Sequence, residues 1–298
     1  MPDAELLAIL EKLAQVSIAA RRAVESALHG PHRGVRRGLS VEFAGHRSYQ
    51  PGDDLRYLDW PVYARADRYD VRVYDEETRL RATVIVDASG SAGYATTLQR
   101  LRDLGAALSV LLTRQGDAVG LAELHGATCD ILPPAGGAGA LGQVLERLAR
   151  LTASGATSLG TAAEALAPRL PRRSLVLLLS DCLDATESLD RCLRVLSHRH
   201  QDVRVVRVLH PHVADFPLAG PVRCTGLEGE RPRLLDADRV RPWYREAFAT
   251  HAEDLAAACH RWSAGLTTIR TDEPLGEALA RLLIAWSAPA ARGGSVRR

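Results

Sequence analysis

The chain has 298 residues, 46% of them hydrophobic, with five cysteines and a net charge of +2. That length holds one large α/β domain or one domain with an appendage, and the mixed charge excludes a bulk field aimed at nucleic acid or membrane. Cys129, Cys182, Cys192, Cys224 and Cys259 are scattered, odd in number and without a Cys-x-x-Cys pair, which argues against a disulfide framework or a zinc site and fits a reducing, cytoplasmic setting.

Residues 3–28 read as an amphipathic helix with Leu6, Leu10, Leu13, Val16 and Val24 along one stripe, stopped by Gly30 and Pro31. The start of the chain lacks the basic opening and apolar run of a signal peptide, and no apolar window is long enough for a membrane helix. Residues 34–80 are rich in Arg, Asp, Tyr and Gly, with strand-like pieces near 39–44 and 69–79 and a turn at Pro51-Gly52.

From residue 82 strands and helices alternate. The pattern predicts strand 82–86, helix 93–115 closed by Gly116, strand 118–125 and a short strand at 128–132. Pro133 to Gly137 reads as a loop, followed by helices 138–152 and 159–168 and strand 174–180. Helix 185–198 follows, with Asp184 and Glu187 as a capping box. Strand 202–209, a polar insert at 210–235, a helix near 237–263, strand 266–270 and helix 274–286 complete the series. Such alternation implies a Rossmann-like α/β domain, a mostly parallel sheet with helices on both faces. The expected division is a helix and small lobe over 1–80, the sheet domain over 81–286 and a disordered tail over 287–298.

Two apolar runs end at an aspartate: Thr83 to Asp87, and Leu175 to Asp181. Buried parallel strands deliver polar residues to the carboxyl edge of a sheet in this way, and ligands bind at that edge. Asp87-Ala88-Ser89-Gly90-Ser91 places three oxygen-bearing side chains at alternate positions, so that they can point the same way. Helix capping is the plain alternative for that segment. Thr157, in Ser154 to Gly160, and Asp181 occupy loops of the same kind. Asp87, Ser89, Ser91, Thr157 and Asp181 together form an all-oxygen set suited to a hard divalent cation, Mg²⁺ or Mn²⁺.

This set resembles the metal-ion-dependent adhesion site of von Willebrand factor A-type domains. The resemblance implies that Ser89, Ser91 and Thr157 bind Mg²⁺ directly, with Asp87 and Asp181 acting mainly through waters, and that the under-neutralised ion attracts a partner's carboxylate. The upstream segments Gly38 to Phe43, Arg47-Ser48-Tyr49-Gln50-Pro51-Gly52-Asp53-Asp54, Arg56-Tyr57-Leu58-Asp59-Trp60 and Ala64-Arg65, with Leu132-Pro133-Pro134 and Leu234 to Leu282, look like the family known as domain of unknown function fifty-eight. That resemblance covers nearly the whole chain. It implies a short form without membrane helices that works beside a MoxR-type AAA+ ATPase on a client protein, in chaperone-like or cofactor-insertion roles. One departure is His210-Pro211-His212, where relatives often carry Asp-Pro.

Other chemistry fits less well. A phosphatase nucleophile at Asp87 needs an acid two residues on, where this chain has Ser89. There is no Gly-x-Ser-x-Gly elbow or Walker A loop, and Gly136 to Gly139 lacks the lysine of a phosphate cradle. His198, His200, His210 and His212 flank strand 202–209 at opposite ends, about 20 Å apart, too far for one zinc ion. In the 47–65 block, Arg47, Asp53, Arg56, Asp59 and Trp60 form either an internal ion-pair network or a partner-docking surface. The expected function is a non-enzymatic, metal-dependent protein-binding adaptor. The alternative is a hydrolase with an Mg²⁺-bound water, for which Glu42 and Asp53 are the nameable bases.

Overall fold

The structure is a computed structural model and describes residues 41–50, 58–66, 68–76, 79–125 and 128–287. The expected helix at 3–28 and the expected tail beyond Ser287 lie outside these residues. The chain divides into two compact units, with the boundary between Arg79 and Leu80.

In the first unit, strands β1 (Val41–Ser48) and β2 (Asp70–Glu76) pair antiparallel, with a register shift between Phe43 and Gly45. Between them lies the short helix α1 (Trp60–Ala66). Asp59 opens it: its Oδ1 accepts from the Val62 amide at 3.2 Å, while its own amide donates to the Asp70 carbonyl at 2.8 Å. Tyr63 stacks on Tyr69 with ring centroids 4.5 Å apart.

The second unit is built on a six-stranded sheet. Its strands are β3 (Arg81–Asp87), β4 (Ala118–His125), β5 (Thr128–Ala135), β6 (Leu175–Ser180), β7 (Asp202–Leu209) and β10 (Gly265–Arg270). The order across the sheet is β10-β7-β6-β3-β4-β5, all parallel except β5, which runs antiparallel at the edge. A two-stranded hairpin of β8 (Pro221–Cys224) and β9 (Arg233–Asp236) stands apart from the sheet.

Alternating apolar residues explain why both faces are covered. Val84 and Val86 of β3 and Leu177 and Leu179 of β6 belong to one buried cluster. They share it with residues of α2 (Thr97–Arg114), α3 (Ala138–Arg150) and α8 (Leu275–Ser287). Ile85, Val176 and Leu178 belong to the other cluster, with α4 (Leu159–Leu166), α5 (Thr186–Ser197) and α7 (Ala237–Arg261). The mostly parallel α/β class expected from the alternation is the class observed.

Several local expectations are corrected. Helix α2 starts at Thr97, not 93, because Ser91–Gly93 form a 3-10 turn and Ala95 takes a positive φ of 49°. Pro133 and Pro134 lie inside β5 rather than in a loop, which an edge strand tolerates because one side needs no ladder donor. The expected capping box of α5 is not formed: its N-cap is Ala185, and Asp184 accepts instead from the Leu159 and Ala185 amides at 3.4 and 2.7 Å. The polar insert contains a short helix, α6 (Pro211–Asp215), as well as the β8–β9 hairpin.

Candidate metal centre

From β3 the chain runs to β4 and β5 on one side, and from β6 to β7 and β10 on the other. The crevice outside the carboxyl ends of β3 and β6 is therefore the topological switch point, the usual ligand position in an open α/β sheet. Asp87 ends β3, and Asp181 follows β6 by one residue.

The β3 loop is pinned on both sides. The Ala88 amide donates to the Leu124 carbonyl at 2.9 Å. The Gly90 amide donates to the Gly155 carbonyl at 2.7 Å, and the Ser154 amide to the Ala88 carbonyl at 2.9 Å. These last two bonds tie the segment carrying Thr157 to the loop carrying Ser89 and Ser91.

Within this frame Asp87 is 5% exposed. Its Oδ1 accepts from the Ser89 amide at 3.0 Å and its Oδ2 from the Ser180 hydroxyl at 2.7 Å. Burial pushes the Asp87 carboxyl above the usual carboxylate range, against the lowering effect of those bonds. The Ser89 and Ser91 hydroxyl oxygens lie 3.0 Å apart. Asp181 is 4% exposed, and its Oδ1 accepts from the Leu183 amide at 3.3 Å. Burial first, and the Asp87 charge second, push its carboxyl up to about 6.

Asp181 Oδ2 and Thr157 Oγ1 are buried without a hydrogen-bond partner. A buried oxygen left unpaired costs about 1–3 kcal/mol. Two such orphans, from the two loops the sequence had singled out, fit a hard cation that prefers oxygen ligands. Ser89, Ser91 and Thr157 offer neutral hydroxyls, and Asp87 and Asp181 offer the charge. Among the described residues no three His, Cys, Asp or Glu side chains converge as an ion-binding group of their own, so any ion here depends on the hydroxyls.

Two participants were missed by sequence reasoning. Ser180 is fully buried and bridges Asp87 to the Cys182 amide, which donates to its Oγ at 2.9 Å. Its signal was its place in the Ser180-Asp181 strand end. Glu228, between β8 and β9, accepts from the Ser91 amide through Oε1 at 3.2 Å. Nothing in the polar insert singled it out. The Gly90 φ of −56° suits any residue. Space is what demands glycine here, since a Cβ would lie 2.4 Å from the Leu227 carbonyl oxygen.

The upstream candidates belong to the first unit. Asp59 is buried at the start of α1, and Trp60 is 59% exposed, edge-on to Tyr63. Arg47 is placed by its backbone on β1, opposite Val71, while Asp53 and Arg56 fall outside the described residues.

Sheet order and the helices on both faces define the class, a Rossmann-like α/β domain with a mostly parallel six-stranded sheet. The family model described as protein of unknown function DUF58 matches residues 45–254, and this chain belongs to that family. Uncharacterized protein Mb1516 of Mycobacterium bovis is 31% identical over 278 residues, covering 91% of this chain and 86% of the relative. Uncharacterized protein Rv1480 of Mycobacterium tuberculosis matches with the same figures. Similar solved structures include the conserved hypothetical protein BatB from Bacteroides thetaiotaomicron, at 12% identity and a TM-score of 0.44 over 70% of this chain and 98% of that one. The SpRpn10 VWA domain is similar at 12% identity and a TM-score of 0.39, over 67% and 93%. No helix among the described residues is long and apolar enough to cross a membrane.

Proposed function

We propose that this chain is a non-enzymatic, Mg²⁺-dependent protein-binding adaptor that docks a partner carboxylate at the carboxyl edge of β3 and β6. The observation that carries this reading is the pair of buried, partnerless oxygens, Thr157 Oγ1 and Asp181 Oδ2, beside two serine hydroxyls 3.0 Å apart. An Mg²⁺ or Mn²⁺ ion, when bound, supplies an electrophilic centre that its neutral ligands leave open to an external carboxylate.

The chain's own residues would do the rest. Ser89, Ser91 and Thr157 hold the ion, and Asp87 and Asp181 balance its charge through waters. Ser180 fixes the Asp87 carboxylate through its 2.7 Å hydrogen bond. Arg207 steadies the second loop: its Nε donates to the Asp181 backbone carbonyl at 3.3 Å, and its guanidinium lies 4.9 Å from the Phe248 ring centre. Family resemblance makes a MoxR-type AAA+ ATPase the proposed partner, with chaperone-like or complex-maturation work on a client.

Co-purification with a MoxR-type AAA+ ATPase tests the reading. Capture by the wild-type chain in Mg²⁺ and its loss in EDTA are expected. Capture that EDTA leaves unchanged would refute a metal-dependent interface. Phosphatase assays on generic substrates, run on wild type and Asp181→Ala, are expected to show no turnover above background in either. Turnover that Asp181→Ala removes would favour the hydrolase instead.

A further inference from the structure

Glu228 reaches the candidate centre from outside the sheet. It sits in the segment joining β8 to β9, 137 residues away from Ser91, yet its carboxylate accepts the Ser91 amide proton at 3.2 Å. Leu227 presses its carbonyl on Gly90 so closely that a Cβ there would lie 2.4 Å away. The segment is braced internally: the Glu228 amide donates to Glu230 Oε2 at 3.1 Å, and Gly229 takes a positive φ of 100°. Glu228 is half-buried in a stretch whose neighbours Leu227, Gly229 and Glu230 are exposed.

This arrangement sets the Glu228 carboxylate against the backbone of the loop that carries Ser89 and Ser91. Among the described residues none of the ion pairs involves Asp87, Asp181 or Glu228. Arg207 spends its Nε on the Asp181 backbone carbonyl rather than on a carboxylate. A divalent cation at the hydroxyls would meet the negative charge of these carboxylates. It would also give the unpaired Asp181 Oδ2, on a side chain only 4% exposed, the partner it lacks.

We propose that Glu228 is the chain's own carboxylate for this ion: the β8–β9 segment is a resident occupant of the open coordination position, and a partner carboxylate must displace it. The inference rests on the metal-dependent docking read above. It adds a ligand and a competitor that the Asp-x-Ser-x-Ser pattern does not contain. It also gives the hairpin, which stands outside the sheet, a role at the edge where docking occurs.

Mn²⁺ binding to the full chain, followed by electron paramagnetic resonance and water-proton relaxation, tests it without a partner. Glu228→Gln keeps the side chain's size and removes its charge. It should weaken Mn²⁺ binding by about tenfold, the low end of what a supporting carboxylate is worth. It should also add one exchangeable water to the bound ion. Acetate should displace that water in Glu228→Gln and leave the wild type unchanged. Wild-type affinity and water count in Glu228→Gln would overturn the proposal, as would weaker binding with no added water, which marks a charge acting at a distance. In either case the site itself stands if Ser89→Ala/Ser91→Ala has lost Mn²⁺. Failure of the folded wild-type chain to bind Mn²⁺ would instead overturn the reading of the site, and this inference with it.

Discussion

The two ends of β6 bury polar groups in opposite ways. At the amino end, Ser174 and Gln201 close a saturated network. Gln201 Oε1 accepts from the Ser174 amide at 3.0 Å and from its hydroxyl at 2.6 Å, and Gln201 Nε2 donates to the Pro171 carbonyl at 2.7 Å. At the carboxyl end, Asp87, Ser89, Ser91, Thr157 and Asp181 keep two buried oxygens without partners and two carboxyls pushed upward. Buried polar groups are ordinarily paired, so the end that is paired reads as architecture and the end that is not reads as a place for a ligand.

The comparison breaks most visibly at the hydroxyls. Ser89→Ala/Ser91→Ala removes two hydroxyls from one end and touches nothing at the other. Mg²⁺ affinity is expected to fall at least about 100-fold, by the scale of lost ligand-sphere interactions. The circular dichroism spectrum should not change, because these two hydroxyls bond to each other rather than to the core. Calorimetry showing undiminished Mg²⁺ binding by the folded variant would dissolve the contrast between the ends.

Gln201→Ala strikes the opposite end. It strands the buried Ser174 amide, while the Ser174 hydroxyl keeps the Pro171 carbonyl as its acceptor, and an unpaired buried group costs about 1–3 kcal/mol. Urea unfolding should show a loss of about 1–3 kcal/mol, with Mg²⁺ affinity within about twofold of wild type. A large change in affinity would mean that the two ends are coupled through β6.

The pH dependence follows from Asp181. Its carboxyl is raised from 3.8 to about 6 in the folded, metal-free chain. The folded state therefore holds its proton more tightly than the unfolded state does. That stabilisation is complete below about pH 4 and is lost as the pH rises through about 6, a drop on the order of 1–3 kcal/mol. Exposed Asp215, Asp238 and Asp272 are shifted downward and slope the other way, so the quantity to measure is the difference between wild type and Asp181→Asn. Wild type should lose stability relative to Asp181→Asn between pH 4 and pH 7, and saturating Mg²⁺ should remove most of that difference. A parallel pair of pH profiles without metal would show that Asp181 is not strained.

Much of this was legible in the sequence because strand identity and edge position follow from apolar runs ending at a polar residue. The five parallel strands, the two faces of helices and the pairing of Asp87 with Asp181 at one edge all rest on that pattern. What was not legible is contact made across long chain separations by polar residues in irregular segments. Glu228 meets Ser91 through a hairpin that carries no periodic signal, and Asp184 caps against Leu159 of a different helix instead of its own. Pro133 and Pro134 misled for a related reason, since only tertiary placement makes β5 an edge strand. In the 47–65 block the alternating charges left an internal ion-pair network and a docking surface both open. Asp59 proves to open α1, whereas Trp60 stays exposed.

The smallest expected effect separates the two ends most sharply, because its sign differs between them. Thr157→Val replaces a hydroxyl by a methyl of nearly the same shape. At a saturated position this change strands a partner and destabilises, as Ser174→Ala should, since Ser174 Oγ bonds Gln201 at 2.6 Å and the Pro171 carbonyl at 2.9 Å. At Thr157 the hydroxyl oxygen is buried and has no partner, so removing it strands nothing and relieves its desolvation. The metal-free Thr157→Val chain is expected to be more stable than wild type by about 0.5–1 kcal/mol. In Mg²⁺ the order should reverse, because wild type gains binding energy that the variant cannot and a ligand that binds only the folded state stabilises in proportion to its affinity. Thermal unfolding of both chains with EDTA and with Mg²⁺ measures all four values. A crossing of the two pairs identifies the Thr157 hydroxyl as a ligand held ready at a stability cost. If Thr157→Val is destabilised to the same degree in both conditions, the oxygen is packed for structure alone, and the carboxyl end differs from the amino end only in how its bonds are arranged.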